Sequence, residues 1–261
     1  METDSEDTEL SSSDQLGPGG PLAIYSDLLP NGKRSLSAIA RNAFILGLVF
    51  GCSLLSCIIL FTQSPSNRFW RPFFFLSTLS SFHYLEFWTH AYANVPNAEV
   101  SSFLLFTNGK AYQASHLSAF LETVITAWFF PDWQDHFSRP ALQILGLACV
   151  IIGQTVRSVA MVQAGTNFNH IVQSKKKETH MLVTYGVYAW LRHPSYFGFF
   201  WYAVGTQLVL GNLLCTIAFS GVLWAFFNHR IKQEEKFLTN FFGKDYTAYK
   251  ASTLVGIPFI R

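Results

Sequence analysis

Between Asn42 and Thr62 the chain runs NAFILGLVFGCSLLSCIILFT, 21 residues without a charge. At 1.5 Å per helical residue this run spans the roughly 30 Å of a bilayer's hydrocarbon. The chain as a whole is apolar: 50% of its 261 residues are hydrophobic and 13% charged, against about 25% charged in a soluble domain. The expected fold is therefore an all-α integral membrane protein.

The remaining charges are segregated. Six of the 16 acidic residues lie in the first 14 positions, which hold no Lys or Arg. The remainder has 18 basic against 10 acidic residues, a formal +8. Basic charge beside long apolar runs suits a membrane with anionic lipid on one face. Nucleic acid would need a basic stripe on a soluble module, and there is none. Cys52, Cys57, Cys149 and Cys215 sit in apolar runs without CxxC or Cys/His spacing, so neither disulfides nor zinc are expected. No basic region leads into an apolar core with a cleavage site, so the first span should act as its own insertion signal.

Three regions follow. Residues 1–35 read as a disordered acidic tail in the cytosol. Residues 36–163 hold four predicted transmembrane helices: 42–62; 73–93, with His83 and Glu86; 111–130, with Glu122; and 140–156, which puts Arg157 near the membrane surface. Residues 164–261 begin with a polar loop to 195, followed by an apolar stretch from Tyr196 to Phe227 split by Gly211 and Asn212. Each half reaches roughly 24 Å, which suits a transmembrane helical hairpin. From Arg230 to Lys250, Ile231, Leu238, Phe241, Phe242, Tyr246 and Tyr249 recur at helical spacing, as in an amphipathic helix lying in the interface. Glu86 and Glu122 are costly against lipid and should face the bundle, paired with Ser, Thr or His.

With the amino terminus in the cytosol, this arrangement puts 14 basic residues on the cytosolic side and three, Arg68, Arg71 and Arg139, on the other. That asymmetry places both termini and the polar loop in the cytosol. A hairpin returns to its starting side, so Arg192 and His193 at its entry should meet Arg230 and Glu234 at its exit. His170, His180, His193 and His229 fall at intervals of 10, 13 and 36, with no pair on one helical turn, and no metal is expected. Ser195 lacks a G-x-S-x-G elbow and reads as readily as a helix cap as a nucleophile. No G-x-G-x-x-G or Walker loop occurs, which excludes a Rossmann domain. An interfacial patch that binds lipid headgroups is the plainer alternative for this cluster.

The stretch AGTNFNHIVQSKKKETHMLVTYGVYAWLRHPSYFG from Ala164 to Gly198, then the hairpin and RIKQEEKF, resembles the isoprenylcysteine carboxyl methyltransferase family over roughly residues 102–261. A shorter form, HPxY with Gly and a later Glu pair, also occurs in phospholipid methyltransferases and more loosely in NADPH-dependent sterol reductases. Those enzymes, or an inactive scaffold of the same fold, are the alternatives.

The resemblance implies a multi-pass enzyme of the endoplasmic reticulum membrane. It would use S-adenosyl-L-methionine to methylate the carboxylate of the prenylated C-terminal cysteine of CaaX proteins such as small GTPases. Carried over by residue, Gln173, His180, Met181, Leu182, Val183, Tyr188, His193, Pro194, Ser195, Tyr196 and Glu234 would bind the cofactor and Arg230 the substrate. Arg157 either marks the membrane surface or serves from there as a second substrate cation. The cofactor's carboxylate, amino group and sulfonium want a cationic or His donor, a carboxylate and aromatic walls. The substrate carboxylate, with a reference pKa near 3.5, is already ionised at neutral pH and needs no general base. Tyr185, Trp190 and Trp201 read equally as interface anchors or pocket walls. Animal members of the family can have two more apolar spans ahead of the first, where residues 1–35 here are acidic and polar.

Overall fold

In a computed structural model of the chain, the described residues are 22–261 apart from 65, 177 and 179. The acidic start of the tail and Lys177 lie outside them. Among the described residues there are eight α-helices: α1 (Leu36–Gln63), α2 (Trp70–Ala93), α3 (Lys110–Phe129), α4 (Pro131–Phe137), α5 (Pro140–Ala164), α6 (Pro194–Leu210), α7 (Leu213–Phe242) and α8 (Lys244–Ser252). Their strand-like pairing is one isolated parallel bridge, Leu191 with Leu254.

Ser35 opens α1, accepting from the Ala38 N–H at 3.3 Å. The most apolar window of α1 has a mean hydropathy of 2.6 yet is only 17% buried, and Phe44 is 72% exposed. Water-soluble proteins do not leave so long an apolar face uncovered. α1 is a lipid-facing helix of a membrane protein, and Pro140–Asn167 is the second stretch long and apolar enough to cross. α2 is less apolar because it turns Ser77, Ser80, His83, Glu86, Thr89 and His90 into the protein.

α5 and α6 pack antiparallel along a glycine seam. A Cβ on Gly146 would lie 2.7 Å from the Gly205 carbonyl, and one on Gly198 only 2.4 Å from the Gly153 carbonyl and 2.7 Å from the Arg157 Cβ. Small residues let two backbones approach this closely where no hydrophobic effect drives helices together. Gly198→Leu is therefore expected to push the pair apart and cost at least about 1–3 kcal/mol, read as a lowered Tm in detergent.

The hairpin α6–α7 starts with Pro194 at the first helical position, where a missing N–H costs nothing. It turns at Gly211, whose φ of +73° favours glycine. Asn212, fully buried, donates to Ala119 O and Gln207 Oε1, both at 2.9 Å, and accepts from Thr123 at 3.0 Å. Glu122 accepts the Leu214 and Cys215 N–H groups at 2.9 and 2.8 Å. Its partner is thus the start of α7, which a carboxylate stabilises, in place of the Ser, Thr or His expected.

α5 continues to Ala164, two turns beyond Arg157, which is buried within the protein. Three further expectations are corrected. α7 does not stop near Phe227. No Gly or Pro interrupts NHRIKQEEKFLTNFF, and the helix runs unbroken to Phe242 before Gly243. The stripe expected to lie on the membrane turns inward instead: Ile231, Tyr246 and Tyr249 are buried. Ser195 is not the cap of α6; His193 holds that position, and Ser195 accepts from Arg157. The chain's end, unremarkable as sequence, inserts Val255, Ile257 and Ile260 among Phe200, Val204, Phe227 and Ile231.

Candidate active site

At the open end of the hairpin, the start of α6, the later half of α7, α8 and the loop over 165–193 enclose a cavity with about 720 Å³ of empty space that opens to solvent. Gln163 fastens the loop by accepting the Val187 N–H on its side chain and the Tyr185 hydroxyl on its carbonyl, both at 2.9 Å. Asn167 Oδ1 accepts the Met181 N–H at 2.9 Å and holds the segment of Met181, Leu182 and Val183 over the cavity. Tyr188 rests on α5 through the Ala160 carbonyl at 3.3 Å, and Tyr249 of α8 donates to the Tyr188 carbonyl at 2.7 Å.

The hairpin brings its two ends together as its topology requires. Tyr196 donates to Glu234 Oε2 at 2.6 Å and accepts from Arg230 Nε at 2.8 Å. The His193 and Tyr196 rings stack at 5.5 Å, and Phe227 stacks on Tyr196 at 5.1 Å. The two adjacent glutamates diverge. Glu234 lines the cavity. Glu235 is buried and gathers Arg192 at 2.6 Å, His193 at 3.3 Å and Lys250, while Arg192 also donates to Thr253 O at 2.8 Å.

Burial pushes the Glu235 carboxyl up, but hydrogen bonds from His193, Lys250 and Arg192 outweigh it and bring it down to about 2. A depressed carboxylate contributes stability that is present in full above its ordinary value of 4.5 and is lost as pH falls toward about 2. Thermal stability in detergent should decline across that window, and Glu235→Gln should flatten the decline.

A second cavity, with about 1520 Å³ of empty space, lies between α3 and α7. Its walls are small or apolar, with Ala111, Ala114 and Ser118 facing Ala218, Val222 and Phe226. Exposed apolar neighbours such as Leu117, Leu214 and Ile217 flank it. Phe168, Asn169, Ser195 and Tyr196 line both cavities. Arg230 lines only the apolar one, with its guanidinium 5.4 Å from the Tyr196 ring and 5.8 Å from Phe226, and donates to the His170 carbonyl. Arg157 also lines it but is held by Glu86 and Ser195. Burial, with Arg157, His90 and Arg230 nearby, keeps His170 well below the usual imidazole range. Its ring stands 3.7 Å from Glu86, too far for a hydrogen bond.

Of the residues carried over for the cofactor, Met181, Leu182, Val183, Tyr188, His193, Pro194, Ser195, Tyr196 and Glu234 line the polar cavity. Gln173 does not; its amide turns back to the Ile171 carbonyl at 3.0 Å. Nor is His180 in the lining. The sequence did not single out Asn167 or Asn169, and its reading took Phe242, Tyr246 and Tyr249 for membrane contacts. The one available signal was their helical spacing with Leu238, which also faces the cavity. Tyr185 and Trp190 are exposed, whereas Trp201 donates to Gly256 O at 3.0 Å.

A cavity lined by polar and aromatic groups beside a larger, mostly apolar one, both next to long apolar helices, is the arrangement of a membrane protein with two adjoining compartments. Residues 145–240 match the isoprenylcysteine carboxyl methyltransferase (ICMT) family. The chain is 42% identical to protein-S-isoprenylcysteine O-methyltransferase of Xenopus laevis over 88% of its length and 76% of that protein's. It is 42% identical to the Saccharomyces cerevisiae protein of the same name, over 90% of this chain and 95% of that one. The solved eukaryotic intramembrane Ras methyltransferase ICMT superposes with a TM-score of 0.77 at 38% identity, covering 85% of this chain and 77% of that one. The chain belongs to the isoprenylcysteine carboxyl methyltransferase family.

Proposed function

We propose that this chain uses S-adenosylmethionine to methylate the α-carboxylate of a C-terminal S-prenylated cysteine. The carrying observation is the pair of unlike cavities that share Phe168, Asn169, Ser195 and Tyr196 in their walls. The polar cavity offers the groups the cofactor needs: the Glu234 carboxylate, the Asn167 and Asn169 amides, His193 and the rings of Tyr188, Tyr246 and Tyr249. A carboxylate and aromatic faces suit its amino, sulfonium and adenine parts. Gln173 and His180 lie in the same loop, outside that lining.

When bound there, S-adenosylmethionine supplies an electrophilic methyl group, which passes from sulfur to a carboxylate oxygen without any proton transfer. The protein's task is alignment and exclusion of water. Arg230 orients the substrate carboxylate at the junction, and Tyr196 links it to Glu234 on the cofactor side. A prenyl chain gains about 0.8 kcal/mol for each CH₂-sized group kept from water, so it stays in the apolar cavity and enters between α3 and α7.

In the membrane, α1, α2, α3 and α5 are the four spans and α6–α7 the hairpin, with the tail and the site in the cytosol of the endoplasmic reticulum membrane. The pairing of Asp135 with Arg68 at 2.5 Å and Arg71 at 3.4 Å supports one shared end for both short connections. In a cysteine-free background, a cysteine at exposed position 136 should resist an impermeant reagent applied from the cytosol, and its labelling there would overturn the topology. Binding separates the enzyme classes: S-adenosylhomocysteine should bind the purified protein and NADPH should not. The reverse would favour a sterol reductase.

A further inference from the structure

We infer that Glu86 is a positioning residue for the transfer, holding Arg157 in a neutral pair so that Arg230 is the charged arm that meets the substrate carboxylate. This rests on the methyltransferase reading. Glu86 lies on α2, ahead of residues 145–240, and is fully buried. It accepts Arg157 Nε at 2.5 Å and Nη2 at 2.7 Å. Arg157 Nη1 donates to the carbonyl and the hydroxyl of Ser195 at 3.1 and 2.8 Å. A guanidinium has five N–H groups, so this arrangement leaves Arg157 one.

Arg230 lines the same cavity, and its partners are neutral: the Tyr196 phenol and the His170 carbonyl. His170, whose ring stands 3.7 Å from Glu86, thus adjoins both arginines' settings. His90, hydrogen-bonded to the Glu86 carbonyl at 3.0 Å, stacks on His170 at 4.7 Å and fixes that side.

The physical reason lies in what a carboxylate nucleophile needs. Two unneutralised arginines in one water-poor cavity would grip it in the ground state, and binding not strengthened in the transition state lowers KM without raising kcat. One charged fork with a single further N–H orients the carboxylate and leaves an oxygen lone pair for the methyl group. The buried acid also places Ser195, which lines both cavities.

Glu86→Gln keeps the shape and removes the charge that neutralises Arg157. The test compares the affinities of N-acetyl-S-farnesylcysteine and its carboxamide, with S-adenosylhomocysteine bound to report an intact site. The expected result is a carboxylate-to-carboxamide preference raised about 10-fold, the scale of one charge-assisted hydrogen bond gained, with both KM and kcat lowered. Glu86→Asp keeps the charge in the core but shortens its reach, and should raise the preference about 3-fold by loosening half of the fork; it serves also if the glutamine variant does not fold. An unchanged preference in folded Glu86→Asp, with both ligands weakened alike, would mean that the pair only packs and would overturn the assignment. Wild-type protein that makes no methyl ester would instead overturn the function on which it rests.

Discussion

Arg230→Ala lowers kcat/KM for a prenylcysteine by roughly 10²–10³-fold, the scale of losing one group that orients or stabilises the reacting atoms, while S-adenosylhomocysteine affinity hardly moves. The asymmetry follows from position, since Arg230 lines the apolar cavity and not the polar one. Arg230→Lys recovers only part of the loss, because an ammonium cannot hold a planar carboxylate as the guanidinium fork does. Steady-state kinetics beside equilibrium binding check this. Equal loss for both ligands would show the arginine to serve the cofactor.

The largest effect on stability belongs to a residue further along the same helix. Glu235→Ala strips the partner from buried Arg192 and from His193, each 4% exposed in its side chain. Breaking one side of a buried ion pair costs about 3–5 kcal/mol, so this variant should lose most of its thermal resistance and its cofactor cavity together. Glu234→Ala should not: that side chain is 27% exposed and ends in the cavity, so cofactor affinity falls while the fold persists. His193→Ala falls between the two, since the ring both lines the cavity and bonds Glu235. Denaturation in detergent, with and without S-adenosylhomocysteine, separates the three.

What the sequence made legible was local. Pro194 and the Gly211–Asn212 pair punctuate the hairpin, and its return to one side brings His193 and Tyr196 to Arg230 and Glu234 without further information. What it hid was set by distant partners. Glu86 and Arg157 are 71 residues apart on different helices, and no periodicity pairs them; charge alone suggested a surface marker for one and a Ser, Thr or His partner for the other. The tail's aromatic stripe has the spacing of a membrane-lying helix, yet Tyr246 and Tyr249 are buried because Gly243 turns α8 back over the cavity. Nothing in Val255, Ile257 and Ile260 announces a core strand-like segment until the bridge from Leu191 to Leu254 aligns it.

The most direct test is transfer of a tritiated methyl group from S-adenosylmethionine by the purified chain in phospholipid vesicles, with N-acetyl-S-farnesylcysteine and unprenylated N-acetylcysteine as acceptors. The two-cavity account predicts a base-labile methyl ester on the farnesylated compound and next to none on the other. Label that reaches neither acceptor, or both equally, would contradict it.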